Sequence, residues 1–435
     1  MTVSSTLVIA ALALAALLSA TAAQASRGPT PGDPVRFDRL VSIGDVLQDA
    51  QAHRRTVHIL YVHGMRADSS GASSAFLDVL AASDLVGTLV RQPATRFRLW
   101  EPRADEQPPI EFAGSPLTDG DWEKAWRRSI PFVSRTVFAS DEGYRVVVDE
   151  VNWWPLLMGL RCRALVGPDA GLSGPSDQLA LCRQDQELGD TADPYFPWLG
   201  KIGAPPIGRG SFANRWVKQN IINWGVGDAV IAAGPMRYYL RKAMDAAARA
   251  SLDGSPQAQR ILIAESLGSF VAMDAARDRD SATRKLVEET RHFYFLANQL
   301  ALLEMARVRK VPFSPELPGQ GAADGKAEGF AGEADEGSLA SIFREAGSRA
   351  GAEGLVGPRP AQIVAISDPS DALTYLVPPL PGVCVSNIQW RFSGGPFGIW
   401  ANPLKAHRGG ITGKRAWTLL LKPNGHDPGK AGPTC

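Results

Sequence analysis

The chain has 435 residues, 45% of them hydrophobic and 21% charged, with a formal net charge of +1. That is ordinary globular composition, enough to bury a core and compatible with one to three domains. The near-zero charge argues against nucleic-acid partners, which need a concentrated basic face.

Leu7 to Leu18 is apolar and is followed by small residues ending Ala23-Gln24-Ala25. This reads as a secretory h-region with an A-x-A cleavage site, so residues 1–25 are expected to be a signal peptide cleaved after Ala25. The stretch is short for a membrane span, although no Lys or Arg precedes it. The mature chain is expected to be exported, periplasmic or secreted, with no transmembrane span. Of the four cysteines, Cys162, Cys182, Cys384 and Cys435, an even number in an exported chain permits two disulfides in three connectivities. Cys162–Cys182 would close a local loop and Cys384–Cys435 would pin the tail. No C-x-x-C or H-E-x-x-H pattern occurs, so no metal and no cofactor is expected.

Residues 26 to about 54 read as a polar lead-in. Thr56 to Val62 (TVHILYV) is strand-like and ends in His63-Gly64-Met65. Ser73 to Val90 carries apolar residues at helical intervals, Arg96 to Trp100 suits a short strand, and Tyr144 to Val151 (YRVVVDEV) is a β-branched strand. A long insertion, 153–255, follows. It is rich in aromatics such as Trp153, Trp154, Trp198 and Trp224, and it reads as helical from Asn214 to Ala250. It is either an added helical layer with its own core or a cap over a site.

The segment Arg260 to Ala276 (RILIAESLGSFVAMDAA) joins an unbroken apolar run to a set at helical spacing, with Ser266 on the tight turn between them. Small residues stand two positions either side, Ala264 and Gly268, where a larger side chain would keep strand and helix apart. Arg291 to Leu303 gives a further strand and a helix start. Residues 313–357 are Gly-, Ala- and Glu-rich and read as a flexible surface insertion around a short helix at Leu339 to Ala346. Ala361 to Ile366 is a strand ending in Ser367-Asp368-Pro369-Ser370-Asp371. Val383 to Phe392 is the last strand, His407 follows in a glycine-flanked loop, and Ala416 to Leu421 suits a closing helix.

Alternating strands and helices imply an α/β fold with a mostly parallel central sheet flanked by helices. Ala264-Glu265-Ser266-Leu267-Gly268, the strand-to-His63-Gly64 segment upstream, and the order Ser, Asp, His along the chain together resemble the α/β-hydrolase superfamily of lipase- and esterase-like serine hydrolases. The resemblance covers most of residues 56–421, with 153–255 and 313–357 as insertions in a single domain of residues 26–435. Ala in the first small position departs from G-x-S-x-G.

The resemblance implies a nucleophile at Ser266, a base at His407 and an acid at Asp371, with oxyanion donors on the backbone of Leu267 and Met65. Such an enzyme cleaves a carboxylic ester or thioester of an acyl or lipid-like small molecule. His426, in the tail, is the alternative base, and Asp368 is the alternative acid; many members carry Gly-x-x-Asp at that turn, where Asp371 takes the Asp place and Asp368 the Gly place. His63 and His58 read as structural, Glu265 as facing the pocket entrance or forming a salt bridge, and Asn298-Gln299 as helix-capping or pocket-lining. A catalytically inactive binding or assembly protein, or an acyltransferase or peptidase of the same superfamily, fits the same composition.

Overall fold

The computed structural model describes residues 40–64, 72–86, 89–101, 130–141, 143–156, 229, 232–234, 236–301, 338–346, 360–369, 371, 374–390, 407 and 413–425. The expectations for residues 1–25, for most of 153–255 and 313–357, and for Met65, His426, Cys162, Cys182 and Cys435 fall outside them.

The described elements are α1 Ile43–Ala52, β1 Thr56–Val62, α2 Ser74–Ala81, β2 Val90–Arg91, β3 Thr95–Arg98, β4 Phe132–Ala139, β5 Arg145–Asn152, α3 Arg237–Gly254, β6 Gln259–Glu265, α4 Leu267–Ala275, α5 Ala282–Glu289, β7 Thr290–Leu296, α6 Leu339–Arg344, β8 Ala361–Ser367, β9 Val383–Gln389 and α7 Lys414–Leu421. They form a mixed α/β structure around one nine-stranded sheet. The strand order is β2-β4-β5-β1-β6-β7-β8-β9, with β3 also paired to β4. From β5 to β9 every neighbouring pair is parallel. β4 runs antiparallel to β5, and β2 and β3 share the outer edge of β4.

The central parallel strands β1, β6, β7 and β8 are buried along almost their whole length and are mostly apolar because both faces are covered, whereas the edge strand β9 is only partly buried. On one face, Leu60, Val62, Val151, Leu262, Phe293 and Phe295 pack under α3, α4, α5 and α6. On the other, Val57, Ile59, Tyr61, Ile263, Tyr294 and Val364 pack under α1, α2 and α7. Successive residues alternate between the faces, so a one-residue slip of any central strand would invert the core.

Several elements differ from the sequence reading. The lead-in contains α1, whose start is a reciprocal cap: Asp45 N donates to Ser42 Oγ at 3.0 Å and Ser42 N donates to Asp45 Oδ2 at 2.8 Å. Residues 73–90 do not form one helix. α2 stops at Ala81, and Val90 pairs with Ala139 in the sheet. β4 adds a strand at Phe132–Ala139, where the PFVSRTVFA stretch carries no clean alternation. α6 lies inside the stretch read as a flexible surface insertion, yet Leu339, Ile342 and Phe343 are buried. Phe343 meets Phe293 edge-on at 5.1 Å between ring centroids, so this turn of helix closes the apolar face over β7.

Polar pins join the layers. Asp149 on β5 accepts both Arg135 Nε and Nη2 at 2.7 Å, and His58 Nε2 at 2.8 Å. Burial alone would raise the Asp149 carboxyl, but the Arg135 and His58 hydrogen bonds outweigh it and hold the group below its ordinary value. Burial lowers His58 despite this partner, so a neutral imidazole donates to the carboxylate. Asp274 on α4 is gripped twice, by Arg237 at 2.8 and 2.6 Å and by Arg241 at 2.7 and 3.0 Å, both from α3. The two arginines are partly exposed and regain water when the carboxylate is removed, so Asp274→Ala is expected to lower unfolding free energy by about 1–3 kcal/mol in urea titration.

His292 on β7 is buried, and both ring nitrogens lack a hydrogen-bond partner among the described residues. Burial, with a smaller contribution from Arg291, lowers its pKa from 6.5 to about 3. The unfolded chain therefore takes up a proton near pH 6.5 that the folded chain refuses. This contribution to stability is whole above about pH 6.5 and is lost as pH falls towards 3, at about 1.4 kcal/mol per unit. His292→Leu is expected to flatten the fall of unfolding free energy across that window. An unchanged slope would contradict the assignment.

Candidate active site

The site is built where β6 hands over to α4. Ser266, the residue between them, has φ 49° and ψ −126°, a left-handed conformation that non-glycine residues rarely adopt and that costs about 1–3 kcal/mol. The surroundings hold it there. Ser266 N donates to Leu296 O at 2.8 Å, continuing the β6–β7 ladder past the end of the strand. Its carbonyl accepts from Ser269 N at 3.1 Å and from Ser269 Oγ at 2.6 Å. Ser269 Oγ in turn accepts from Gln299 N at 2.9 Å.

The turn also presses on the end of β1. A Cβ at Gly268 would lie 2.3 Å from His63 O and 2.4 Å from Val62 O, so the position has room only for glycine. A Cβ at Gly64 would come 2.8 Å from Ser266 Cβ. Ala264, by contrast, sits in the ladder between Val62 and Phe295 and is fully buried, so its methyl is ordinary core. Trp153 locks the same corner from β5: its ring stacks on His63 at 5.0 Å and 11°, and its indole N–H donates to His63 O at 2.9 Å. His63 Nδ1 donates to Gly64 O at 2.6 Å, a local structural bond.

Asp371 and His407 come from the far side of the sheet. Asp371 follows β8 in a turn closed by Asp371 N donating to Asp368 O at 2.9 Å. His407 follows β9. Ser266 Oγ lies 2.8 Å from His407 Nε2, and His407 Nδ1 lies 2.7 Å from Asp371 Oδ2. All three residues are buried. A carboxylate only accepts, so Nδ1 carries the proton and Nε2 is left to accept from the serine hydroxyl. Residues 141 and 36 positions apart along the chain thus form one hydrogen-bonded relay. Asp368 is buried beside the turn but is not the carboxylate on His407.

Leu267 opens α4, so its N–H belongs to the first turn of a helix, where backbone donors have no intrahelical acceptor. Met65, the other expected donor, lies outside the described residues.

Sequence reasoning missed several supporting groups. Glu265 is buried on the opposite face of the sheet from α4 and accepts from the Tyr61 hydroxyl, so it faces the α2 layer and not a pocket entrance. Glu150, inside the β5 run, accepts from Ala72 N at 2.8 Å and from the Ser73 hydroxyl at 2.5 Å, anchoring the start of α2. An acid interrupting a β-branched strand was the available signal. Asn298 accepts from Leu300 N at 3.3 Å, as a cap would, but its Nδ2 also donates to Tyr375 O at 2.8 Å.

Among the described residues no group of His, Cys, Asp and Glu side chains is arranged to hold a metal ion. A cavity of about 720 Å³ lies near Arg249, Arg260, Lys285 and Glu289, at the amino end of β6, so it belongs to the opposite end of that strand from Ser266. Cys384 is placed on β9, and no free thiol occurs among the described residues. No described helix is long and apolar enough to cross a membrane.

The chain matches no protein-family model, no curated protein and no solved structure.

Gly268→Ala should drive its new methyl into two backbone carbonyls that cannot retreat without breaking the β1–β6 ladder. The expected cost is about 1–3 kcal/mol or more, read as a lower unfolding midpoint in urea. An unchanged midpoint would mean that strand and turn do not cross this closely.

Proposed function

We propose that the chain is a serine hydrolase of α/β-hydrolase type that cleaves a carboxylic ester or thioester through an acyl-enzyme. The observation that carries this reading is the buried relay from Ser266 Oγ through His407 to Asp371 Oδ2, with both links under 3 Å. A serine hydroxyl is a weak nucleophile, and an isolated buried serine needs no imidazole. A histidine fixed by a carboxylate on one nitrogen and facing a hydroxyl with the other is what acyl transfer requires. The serine, acid and histidine follow β6, β8 and β9 at the carboxyl ends of parallel strands, where open α/β sheets gather their chemistry.

In the first half-reaction, Ser266 Oγ attacks the carbonyl carbon while His407 Nε2 takes the hydroxyl proton. Asp371 stabilises the imidazolium that results. The Leu267 N–H and, in this proposal, that of Met65 receive the oxyanion. Removing one such donor typically costs about 3–4 kcal/mol. Collapse of the tetrahedral intermediate breaks the bond to the leaving alcohol or thiol, which collects the proton from His407. Water repeats the sequence on the acyl-enzyme, returning a carboxylic acid and free Ser266.

An apolar acyl or lipid-like substrate is supported by Tyr375 and Leu376. These are large exposed hydrophobics on the stretch that follows Asp371. The proposal also takes the chain to be exported, with residues 1–25 removed and Cys384 paired to Cys435.

A fluorophosphonate probe is expected to label the wild-type protein covalently and to leave Ser266→Ala unlabelled. Asp371→Asn should slow labelling by about 10³–10⁴-fold, because the imidazole would lose its tautomer and orientation. A folded wild type that resists the probe would remove the enzyme reading.

A further inference from the structure

We infer that Thr374 and Asn298 are positioning residues for the acid of this site. In this assignment Thr374 fixes the Asp371 carboxylate, and Asn298 fixes the chain that carries them both. The inference rests on the hydrolase reading.

Among the described residues, Asp371 Oδ2 accepts one hydrogen bond from His407 Nδ1 at 2.7 Å and one from the Thr374 hydroxyl. A carboxylate held only by an imidazole can turn about its Cβ–Cγ bond and offer either oxygen or neither. A second donor on the same oxygen removes that freedom and keeps Oδ2 in the imidazole plane.

Thr374 can do this only if its own backbone is fixed, and it lies in neither helix nor strand. The neighbouring Tyr375 is gripped on both sides: its N–H donates to Asn298 O at 3.3 Å and its carbonyl accepts from Asn298 Nδ2 at 2.8 Å. Asn387 on β9 does the same for Val377, with its Oδ1 accepting at 2.9 Å and its Nδ2 donating at 2.8 Å. Asn298 is fully buried, and Leu300 N at 3.3 Å occupies its remaining acceptor. It follows Ala297, whose φ of 49° is held by Ala297 N donating to Ile366 O at 2.8 Å. The acid is thus referenced to the ends of β7, β8 and β9.

When the Ser266 proton moves to His407 Nε2, the Nδ1–H stays aimed at Oδ2 and the new positive charge faces the carboxylate. A carboxylate free to rotate would meet it only part of the time.

The test measures the second-order rate at which a fluorophosphonate probe labels Ser266, alongside thermal midpoints. Thr374→Val keeps the shape and loses the hydroxyl, whereas Thr374→Ser keeps the hydroxyl and loses the methyl. Thr374→Val is expected to label about tenfold to a hundredfold more slowly than wild type, the usual weight of a hydrogen bond to a charged group, while Thr374→Ser stays within about threefold. A packing role predicts the reverse ranking. Asn298→Asp, which sets an acceptor against the Tyr375 carbonyl, is expected to slow labelling as well and keeps the question answerable if Thr374→Val does not fold. Labelling at the wild-type rate in these variants, or Thr374→Ser slowed as much as Thr374→Val, would overturn the inference alone. A wild type that does not label would remove the hydrolase reading and this inference with it.

Discussion

The crossing of two backbones organises the described structure. The end of β1 and the turn from β6 into α4 pass so closely that Gly268 lies against the carbonyls of Val62 and His63, and Gly64 lies against Ser266. Trp153 closes the third side of the contact with its stacked ring and its indole hydrogen bond. Because the corner is rigid, Ser266 can be kept at a φ that isolated serines avoid. The strain is repaid by hydrogen bonds that extend the β6–β7 ladder one residue past the strand. Parallel strands ending on one line then bring a turn after β8 and a residue beyond β9 to the same serine.

Buried polar groups tie the elements around this corner to their neighbours. Asp274 takes two arginines and ties α4, the helix that begins beside Ser266, to α3. Glu150 takes the backbone and hydroxyl at the start of α2, and Tyr61 donates to Glu265 beside the serine. A buried ion pair is weak evidence for stability in itself, because desolvation offsets much of the attraction. What these groups supply is direction: each joins elements on one face of the sheet at one orientation.

Much of this was legible in the sequence, for physical reasons. β1, β5, β6, β7 and β8 are mostly apolar runs without clean alternation, as doubly covered strands require. Ser266 stands at the single place where such a run meets helical spacing across a small residue. Asp371 and His407 were visible as a carboxylate and an imidazole just after later strands, and the structure brings both to Ser266. Other parts were read incompletely. β4 mixes Ser, Arg and Thr into its run because it sits near the sheet edge, where Arg135 reaches Asp149. α1 carries a signature that the reading of a polar lead-in passed over: Ser-x-x-Asp, a shorter version of the usual capping box, with Ile43, Val46, Leu47 and Ala50 at helical spacing. The short helix α6 was legible at Leu339 to Ala346, but its Gly- and Ala-rich neighbours gave no sign that it is buried, with Phe343 packed on Phe293. The partners of Glu265, Asn298 and Thr374 are set by tertiary contacts that no spacing encodes.

The account turns on whether Ser266 is the atom that bonds to an acyl-like centre while His407 and Asp371 stay in line behind it. The most direct measurement is a crystal structure of the protein after reaction with an alkyl fluorophosphonate. The account predicts phosphorus bonded to Ser266 Oγ, a phosphoryl oxygen accepting from the Leu267 N–H, and His407 still held by Asp371. Phosphorus on another side chain, or an adduct at Ser266 with the His407 imidazole turned away from both partners, would contradict it.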